Sequence, residues 1–301
     1  MHPFITIFSA PKPFSDPHIA NIQRNAIQSW LHLGEAVDVL LIGEEPGLEQ
    51  VVNDYSLNYI PAVGRNESGT PLVSSLFSAA RNWAKSPYMA YVNADILLLP
   101  DFVEAAKQVA DQAKDFLLIG QRWDLQVDHL LDFSDDWAQR LKTAVNQTGS
   151  LHLPAGSDYF IYPKHLFKDI PDFAIGRAGW DNWMIYHAKQ QDWMVVDGTP
   201  SITIIHQNHD YSHLLGGRPH YEQDESFVNE HLAGGQGNLY MVLDCDRQIR
   251  DGQLRRPQMS LVRALRLAER WTAPKNGADS RMRTYLSRRF RRLRRRVTGS
   301  L

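Results

Sequence analysis

The sequence has 301 residues and only one cysteine, Cys245. A single thiol excludes an intramolecular disulfide framework and a zinc site built from cysteines, and it is typical of a reducing compartment. Long hydrophobic runs are also missing, because no stretch of about 18 apolar residues occurs that would span a bilayer. The first residues lack the basic segment and apolar run of a secretory signal. We therefore expect a cytoplasmic protein.

The charged residues divide the chain into two regions. The formal net charge is only −2, and the share of hydrophobic residues, 43%, is that of an ordinary folded protein. Residues 1–246, however, contain 15 Lys and Arg against 31 Asp and Glu, whereas residues 247–301 contain 17 against 3. Opposite charge in two regions indicates different partners. We therefore predict a domain over 1–246 and a basic extension over 247–301.

Short apolar runs alternate with amphipathic helical stretches through much of residues 1–246. Helices are predicted over 18–31 and 181–188, and after the capping residues Thr70 and Asp101. Strands are predicted over 4–8, 37–42, 57–63, 88–92, 116–119, 159–162, 193–196 and 202–206. Such alternation predicts an α/β fold with a mostly parallel sheet flanked by helices. Ligands of such sheets bind outside the carboxyl ends of the strands, so the residues that follow each strand are the first candidates for a site.

The most informative segment joins a helix and a buried strand. The helix has Arg81 and Asn82 near its end, and the strand over 88–92 is followed by Asn93-Ala94-Asp95. A carboxylate at a strand's carboxyl end is well placed to bind a hard divalent cation, whose remaining ligands are phosphate oxygens and water. Taken alone, the tripeptide is equally explained as a turn after a strand.

This segment resembles glycosyltransferases of the GT-A fold, especially family 2, which have a Gly, then Ala-Arg-Asn on a helix, then a strand that ends in Asp-x-Asp. Residues 69–99 match that order, with Asn93 in place of the first Asp. The resemblance implies a GT-A (Rossmann-like) domain that uses a nucleotide-diphospho-sugar, with Asp95 binding Mn2+ or Mg2+ and Asn93 contacting a ribose hydroxyl. It also implies a donor site formed by Ser9, Pro11, Glu44, Arg81, Asn82, Asn93 and Asp95.

A second group of candidates surrounds the glycine-rich loop at 176–179. The loop leads to Asp181 at the start of a helix, where the helix dipole favours an ionised acid of the kind a general base requires. An ordinary helix-capping role explains the same residue. In the family, a Glu-Asp motif at a helix start deprotonates the acceptor, and Trp180-Asp181 is similar to it. The resemblance implies that Asp181 is the base of an inverting reaction, with Trp180 on the acceptor side. Asp158 precedes the predicted strand over 159–162 and is a further candidate for the acceptor side, and a turn-capping role is the alternative.

Histidines follow the last predicted strand. His206 ends the strand over 202–206, and His209 lies three residues further on. Neutral imidazole is a good ligand for manganese and similar ions. Many GT-A enzymes use a histidine after the last core strand as a metal ligand. The resemblance therefore implies a second metal ligand at His206, with His209 as the alternative.

The basic extension contains a strongly amphipathic segment. Residues 281–297 include nine arginines, and apolar residues recur there at helical spacing. Those apolar residues are Met282, Tyr285, Leu286, Phe290, Leu293 and Val297. A basic amphipathic helix of this kind is suited to the surface of an anionic membrane, and 259–271 show a similar pattern. Packing on the acidic body, a disordered tail and nucleic acid are the alternatives, and the apolar stripe disfavours nucleic acid. We expect peripheral association with the inner face of the membrane.

Three other functions compete with glycosyl transfer. A nucleotidyltransferase shares the layout and the metal carboxylates, but its usual glycine-rich signature is absent from 9–13. A glycosidase needs two carboxylates ~5–10 Å apart that flank one bond. A non-catalytic carbohydrate- or nucleotide-sugar-binding protein is compatible with the eight tryptophans. We expect a metal-assisted, inverting glycosyltransferase whose acceptor is a glycan or a lipid-linked molecule.

Overall fold

The computed structural model describes residues 2–208, 223–273 and 281–299. The strands in these ranges are β1 Ile5–Ser9, β2 Val37–Ile42, β3 Asn58–Ile60, β4 Tyr88–Val92, β5 Ile96–Leu98, β6 Phe116–Ile119, β7 Trp123–Leu125, β8 Ser150–Leu151, β9 Tyr159–Pro163, β10 Met194–Asp197, β11 Ile204–Gln207, β12 Arg247–Arg250 and β13 Gln253–Arg255. The α-helices are α1 Pro17–Leu31, α2 Leu48–Tyr55, α3 Val73–Trp83, α4 Asp101–Ala110, α5 Trp137–Thr148, α6 Trp180–Gln190, α7 Asp224–Leu232, α8 Leu261–Thr272 and α9 Arg281–Thr298.

Two sheets organise the described residues. A nine-stranded sheet has the order β13-β12-β10-β6-β9-β4-β1-β2-β3. Its strands run parallel except β9, which is antiparallel to β4 and β6, and β13, which is antiparallel to β12. A second sheet has four strands in the order β5-β11-β7-β8, and three residues separate the end of β4 from the start of β5. The mostly parallel α/β fold that the alternation of elements predicts is therefore confirmed.

Helices cover both faces of the large sheet because its strands are apolar on both sides. Along β1, Ile5 and Ile7 pack against α1, α2 and α4, whereas Phe8 points to the opposite face and packs with α3 and α6. A third, smaller cluster joins α5 to the four-stranded sheet. Successive strand residues face opposite sides, so two buried layers require the near-continuous apolar runs that the sequence shows.

Two helices begin differently from the sequence prediction. The helix expected after Thr70 begins only at Val73, because Pro71 and Leu72 form bridges with Arg65 and Ala174. No side chain caps this helix. Asp101 is the first residue of α4 and does not cap it. Long-range backbone and ion-pair partners have therefore replaced local capping at both places.

The carboxylate of Asp101 accepts a hydrogen bond from the backbone N–H of Thr203 at 3.2 Å and lies 3.0 Å from the ammonium of Lys142. It thus ties the start of α4 to the loop before β11 and to α5.

The predicted boundary after residue 246 falls inside the large sheet. β12 pairs with β10 in parallel and β13 pairs with β12, so residues 247–255 belong to the body. The helical part of the extension begins at α8, which packs against α9. The described residues contain no helix long and apolar enough to cross a membrane.

Candidate active site

The carboxyl edge of the large sheet brings Asn93 and Asp158 together. Asn93 follows β4 and Asp158 precedes β9, and because β9 runs antiparallel to β4 these residues are neighbours. The backbone N–H of Asn93 donates to the carbonyl of Asp158 at 3.0 Å, and its side-chain amide donates to the Asp158 carboxylate at 2.8 Å. Tyr91 donates to the amide oxygen of Asn93 at 2.9 Å. The amide is thus fixed by two side chains.

Arg122 connects two carboxylates at this edge. It follows β6, and its guanidinium lies 3.0 Å from Asp158 and 2.9 Å from Asp124. Burial opposes its charge, but Asp158 and Asp124 raise the pKa of Arg122 above its usual value. A permanent positive charge therefore lies between two carboxylates, where it can hold Asp158 in place.

His206 lies between the carboxylates of Asp95 and Asp124. In β11 it is opposite Asp124 of β7 and Ile96 of β5. Its Nδ1 lies 3.4 Å from Asp124 and its Nε2 lies 3.8 Å from Oδ2 of Asp95. His152 Nδ1 lies 2.7 Å from the other oxygen of Asp124. A carboxylate behind an imidazole fixes the orientation of the ring, as it does for many metal-binding histidines.

Asp124 remains ionised in this setting. Burial alone would raise its pKa, but hydrogen bonds with His152 and His206 and the charge of Arg122 hold the pKa of Asp124 well below its usual range. The ionised carboxylate therefore directs Nε2 of His206 toward Asp95.

Asp95 and His206 fit as two ligands of one divalent ion. Two ligand atoms that each lie ~2.1 Å from an ion are at most ~4.2 Å apart, and the two atoms here are separated by 3.8 Å. Within the ranges that the structure describes, no group of three or more His, Cys, Asp or Glu side chains is arranged to hold a metal. His209, the alternative ligand, lies outside the described residues. A metal at this place would need substrate oxygens and water to complete its coordination.

Asp181 is the second residue of α6, after the N-cap residue Gly179. Its carboxylate accepts a hydrogen bond from the backbone N–H of Gly179 at 3.3 Å. The expectation that the helix N-terminus simply keeps this acid ionised is incomplete. Burial raises the pKa of Asp181 to about 6, and the charge of Asp158 adds to the effect, although backbone hydrogen bonds oppose it. An acid with this pKa is a stronger base than an exposed aspartate and is still ionised at neutral pH.

Gly156 leaves the space that the Asp181 carboxylate occupies. A Cβ at position 156 would lie 2.6 Å from Oδ2 of Asp181, and the φ of Gly156 is not in the left-handed region. We expect Gly156→Ala to lower kcat by ~10–100-fold by displacing the carboxylate, since small misplacements of reacting groups have effects of this size. The matched control is Gly237→Ala, whose Cβ meets nothing within 4 Å. Steady-state kinetics with an unchanged kcat for Gly156→Ala would contradict this arrangement.

The predicted donor role of Arg81 and Asn82 is wrong. α3 runs back toward the amino ends of the strands, so its last turn lies at the opposite end of the sheet from Asp95. Arg81 donates to the carbonyls of Lys164, Leu166 and Phe167, just after β9 ends. Asn82 is exposed at the same end. Arg81 therefore joins α3 to the loop after β9.

The acceptor-side role of Trp180 is also wrong. Its side chain is 5% exposed and its ring packs edge-on against Tyr91, with centroids 5.1 Å apart. Phe77 and Phe160 complete its surroundings in the core. Trp180 offers no face for a sugar and instead fixes the start of α6, and with it the position of Asp181.

The other predicted donor residues lie at the carboxyl edge with different degrees of access. The hydroxyl of Ser9 is buried and donates to the carbonyl of Val92 at 2.6 Å, so it joins the ends of β1 and β4. Pro11 is buried. Glu44 follows β2, is exposed, and lies 3.5 Å from the guanidinium of Arg65. Of these three, Glu44 has the side chain that faces solvent.

Four side chains of this cluster are not among the predicted site residues, namely Lys12, Arg122, Asp124 and His152. Burial lowers the pKa of Lys12, and the nearby charge of Asp95 opposes that effect. Lys12 and Arg122 each lie within three residues of a strand's carboxyl end, which was the available signal. Asp124 and His152 belong to or follow short strands of the small sheet, for which the sequence shows no periodic pattern.

Comparison with known proteins supports the fold through solved structures alone. No protein-family model matches the chain. No curated protein matches it by sequence. S. aureus TarS 1–349, in complex with UDP-GlcNAc, is similar in structure with a TM-score of 0.52 and 13% identity, over 90% of this chain and 72% of that chain.

Two further solved structures are similar. A longer S. aureus TarS has a TM-score of 0.50 and 13% identity, over 90% of this chain but only 43% of its own length. Mannosyltransferase PcManGT from Pyrobaculum calidifontis, in complex with GDP-Man and Mn2+, has a TM-score of 0.44 and 13% identity, over 70% of this chain and 59% of its own. The chain has the GT-A-like fold, as the resemblance of residues 69–99 implied.

Proposed function

We propose that this protein is a glycosyltransferase that moves a sugar from a nucleotide-diphospho-sugar to a hydroxyl group of an acceptor. The observation that carries the proposal is the polar cluster at the carboxyl edge of the sheet. There Asp95 and His206 fit one divalent ion, and a half-buried acid, Asp181, lies near Asp158 in the same cluster. A protein of the same fold has been solved with UDP-GlcNAc, which supports a nucleotide-sugar donor.

The donor's diphosphate would lie at Asp95. Asp95 and His206 would hold Mn2+ or Mg2+, which stabilises the negative charge on a leaving nucleoside diphosphate as a Lewis acid. Asn93, whose amide is fixed by Tyr91 and Asp158, is our candidate for a hydrogen bond with a ribose hydroxyl. Glu44, at the exposed end of β2, is the other candidate contact with the nucleoside.

Asp181 would take the proton from the acceptor hydroxyl. Its raised pKa makes it a more effective base than an exposed aspartate. A base that activates the acceptor for direct attack implies inversion at the anomeric carbon. Asp158 shares a side of the site with Asp181, and Arg122 and Asn93 hold its carboxylate, so it is our candidate contact with the acceptor.

The acceptor is a glycan or a lipid-linked molecule in this proposal, and the partner of residues 281–297 is an anionic membrane surface. A cytoplasmic enzyme held at the inner face of the membrane would be confined to the same surface as its lipid-linked acceptors, so the two would encounter each other more often. The basic extension supports this part of the proposal through its charge, 17 Lys and Arg against 3 Asp and Glu.

A thermal-shift screen tests the donor class. We expect UDP or GDP with Mn2+ to raise the midpoint of thermal unfolding, since a ligand stabilises the native state in proportion to RT ln(1 + [L]/Kd), ~2.7 kcal/mol at 100 times Kd. AMP with Mn2+ is the control without a diphosphate. Turnover of radiolabelled UDP- and GDP-sugars with Mn2+ then separates a transferase from a binding protein. No shift with any nucleoside diphosphate and no turnover would contradict the proposal.

A further inference from the structure

The helices α8 and α9 pack with charged side chains inward. Glu269 of α8 is 2% exposed and lies 2.8 Å from Arg291 and 3.0 Å from Arg294 of α9. Arg266 of α8 is also buried and lies 2.7 Å from Asp244 of the body. Burial would raise the pKa of Glu269, but its three arginine neighbours hold that pKa below its usual value. A network of ion pairs therefore joins α9 to α8 and α8 to the body.

The apolar side chains of the same helices point outward. Trp271 is 80% exposed and Met282 is 73% exposed. The other exposed apolar residues of this surface are Met259, Leu261, Leu267, Tyr285, Leu293 and Val297. Most amphipathic helices do the opposite and bury this stripe against the core. Several large apolar side chains that a folded chain leaves exposed on one pair of helices are typical of an interaction site.

The charge around these apolar side chains defines the partner. α9 contains no acidic residue, and the arginines it exposes are Arg281, Arg283, Arg288, Arg289, Arg292, Arg295 and Arg296. Apolar side chains bordered by arginines match the interface of an anionic bilayer. There the apolar side chains contact acyl chains, and the arginines bind the anionic headgroups. A nucleic-acid backbone would engage the arginines but would leave the aliphatic side chains in water.

A similar apolar face lies beside the loop that leads to Asp181. On α7, Ser226 and Asn229 are buried and hydrogen-bond with Ala178 and Ala174 of that loop. The exposed side of α7 presents Phe227, Val228 and Leu232. α7 therefore holds the base-bearing loop with one face and offers apolar side chains to solvent with another.

Hydrogen bonds from arginines connect the α8–α9 pair with the segment after α7. Arg291 of α9 donates to the side chain of Gln236 at 3.2 Å, and Arg270 of α8 donates to the carbonyl of Gly237 at 2.7 Å. The guanidinium of Arg270 also lies 3.8 Å from the ring centroid of Tyr240. The segment 236–240 thus fixes the two helices next to the end of α7.

We propose that the exposed faces of α7, α8 and α9 form one docking surface for an anionic lipid bilayer. The ion pairs of Glu269 and Arg266 hold α8 and α9 in place, so the surface exists before it meets lipid. This inference specifies the membrane partner proposed above. It places a docked bilayer beside the loop of Asp181, and only the role of that bilayer in presenting an acceptor rests on the proposed glycosyl transfer. An acceptor presented from the membrane would then reach the base.

Co-flotation with vesicles tests the docking surface. We expect the full chain to float with phosphatidylcholine vesicles that contain phosphatidylglycerol, and to float less with phosphatidylcholine alone. The double variant Trp271→Ser/Met282→Ser should bind at least ~10-fold more weakly, since each substitution removes a large apolar side chain that the bilayer would bury. Phe227→Ser should weaken binding by ~5-fold or more for the same reason. The matched control is Leu130→Ser, which changes an exposed leucine elsewhere on the body.

Each outcome bears on one part of the proposal. No flotation with phosphatidylglycerol vesicles, or equal flotation of Trp271→Ser/Met282→Ser and Leu130→Ser, overturns the docking surface. If Phe227→Ser floats as well as Leu130→Ser, α7 is not part of the docking surface. Stronger binding to duplex DNA than to vesicles, unaffected by Trp271→Ser/Met282→Ser, overturns it in favour of nucleic acid. Turnover of a soluble nucleotide sugar without vesicles should be unchanged in these variants, so a failure of docking and a failure of glycosyl transfer are distinguishable.

Discussion

Asp95→Ala is expected to lower Mn2+-dependent turnover of a nucleotide sugar by at least ~10³-fold. The carboxylate follows the end of β4 and lies 3.8 Å from Nε2 of His206 in β11. Without it, a divalent ion would keep one side-chain ligand, His206, among the residues described here. Charge stabilisation of a leaving diphosphate by a metal accounts for several kcal/mol of the barrier, which is the origin of the expected factor.

The experiment compares Asp95→Ala with Asp111→Ala. Asp111 is an exposed acid at the end of α4 and lies at the amino end of the strands, so its loss changes the net charge equally without touching the cluster. Thermal unfolding checks that both variants fold. In the variant of Asp95, Mn2+ should no longer increase the shift produced by a nucleoside diphosphate, a readout that does not depend on turnover. Turnover that Asp95→Ala retains, with the fold intact, would refute the assignment.

The fold was largely predictable because its strands are buried on both faces. The runs over 37–42, 88–92 and 116–119 coincide with the observed strands β2, β4 and β6, since uninterrupted apolar residues between helical stretches have few alternatives. The four-stranded sheet was harder to predict from the sequence, because β7 and β8 have only three and two residues and show no alternation of apolar and polar residues. Those short strands supply Asp124 and precede His152, which explains why both were missed.

The candidate site residues next to strand ends lie together in the structure, whereas Arg81 and Trp180, which are on helices, do not join them. Asn93, Asp95 and His206 lie at strand ends that converge because of the sheet topology. Arg81 was assigned by its closeness in sequence to β4, but the helix that carries it ends at the opposite edge of the sheet. Trp180 was assigned by its closeness to Asp181, yet neighbouring residues on a helix point in different directions. Sequence proximity therefore predicts position only where the direction of the element is also known.

The basic extension shows a different limit of sequence patterns. Helical periodicity predicted α9 over nearly its observed range, Arg281–Thr298. The pattern did not reveal which charged residues are buried, because Asp244 is 22 residues from Arg266, and Glu269 is 22 and 25 residues from Arg291 and Arg294. Ion pairs at such separations leave no local signal, and here they decide which face of each helix remains exposed.

Asp181→Asn is expected to lower turnover by ~10²–10⁴-fold, the usual contribution of a positioned general base. Asparagine preserves the shape and the hydrogen bond from the N–H of Gly179 but cannot take a proton. In the wild type, kcat/KM should rise as the pH increases through about 6, because the carboxylate form is the base and burial raises the pKa of Asp181 to about 6. The variant should lack this limb of the pH profile.

Whereas Asp181→Asn should lower turnover, it should raise the free energy of unfolding at neutral and higher pH. Between the unfolded pKa of ~3.9 and the native pKa, the native state binds more protons than the unfolded state, so ionised Asp181 lowers stability as the pH rises. Asparagine is neutral at all pH values. We therefore expect Asp181→Asn to unfold with a free energy ~1–3 kcal/mol higher than wild type at pH 8 and equal to it below pH ~4.

The control for both measurements is Asp224→Asn, which makes the same change in an exposed acid at the start of α7. It should leave turnover, the pH profile and the pH dependence of unfolding unchanged. An Asp181→Asn variant with wild-type turnover and an intact limb near pH 6 would exclude Asp181 as the base. A variant that loses turnover and also loses stability at pH 8 would instead indicate a structural role at the helix start. A catalytic base whose pKa is raised by burial should give both results together: Asp181→Asn loses turnover and gains free energy of unfolding at pH 8.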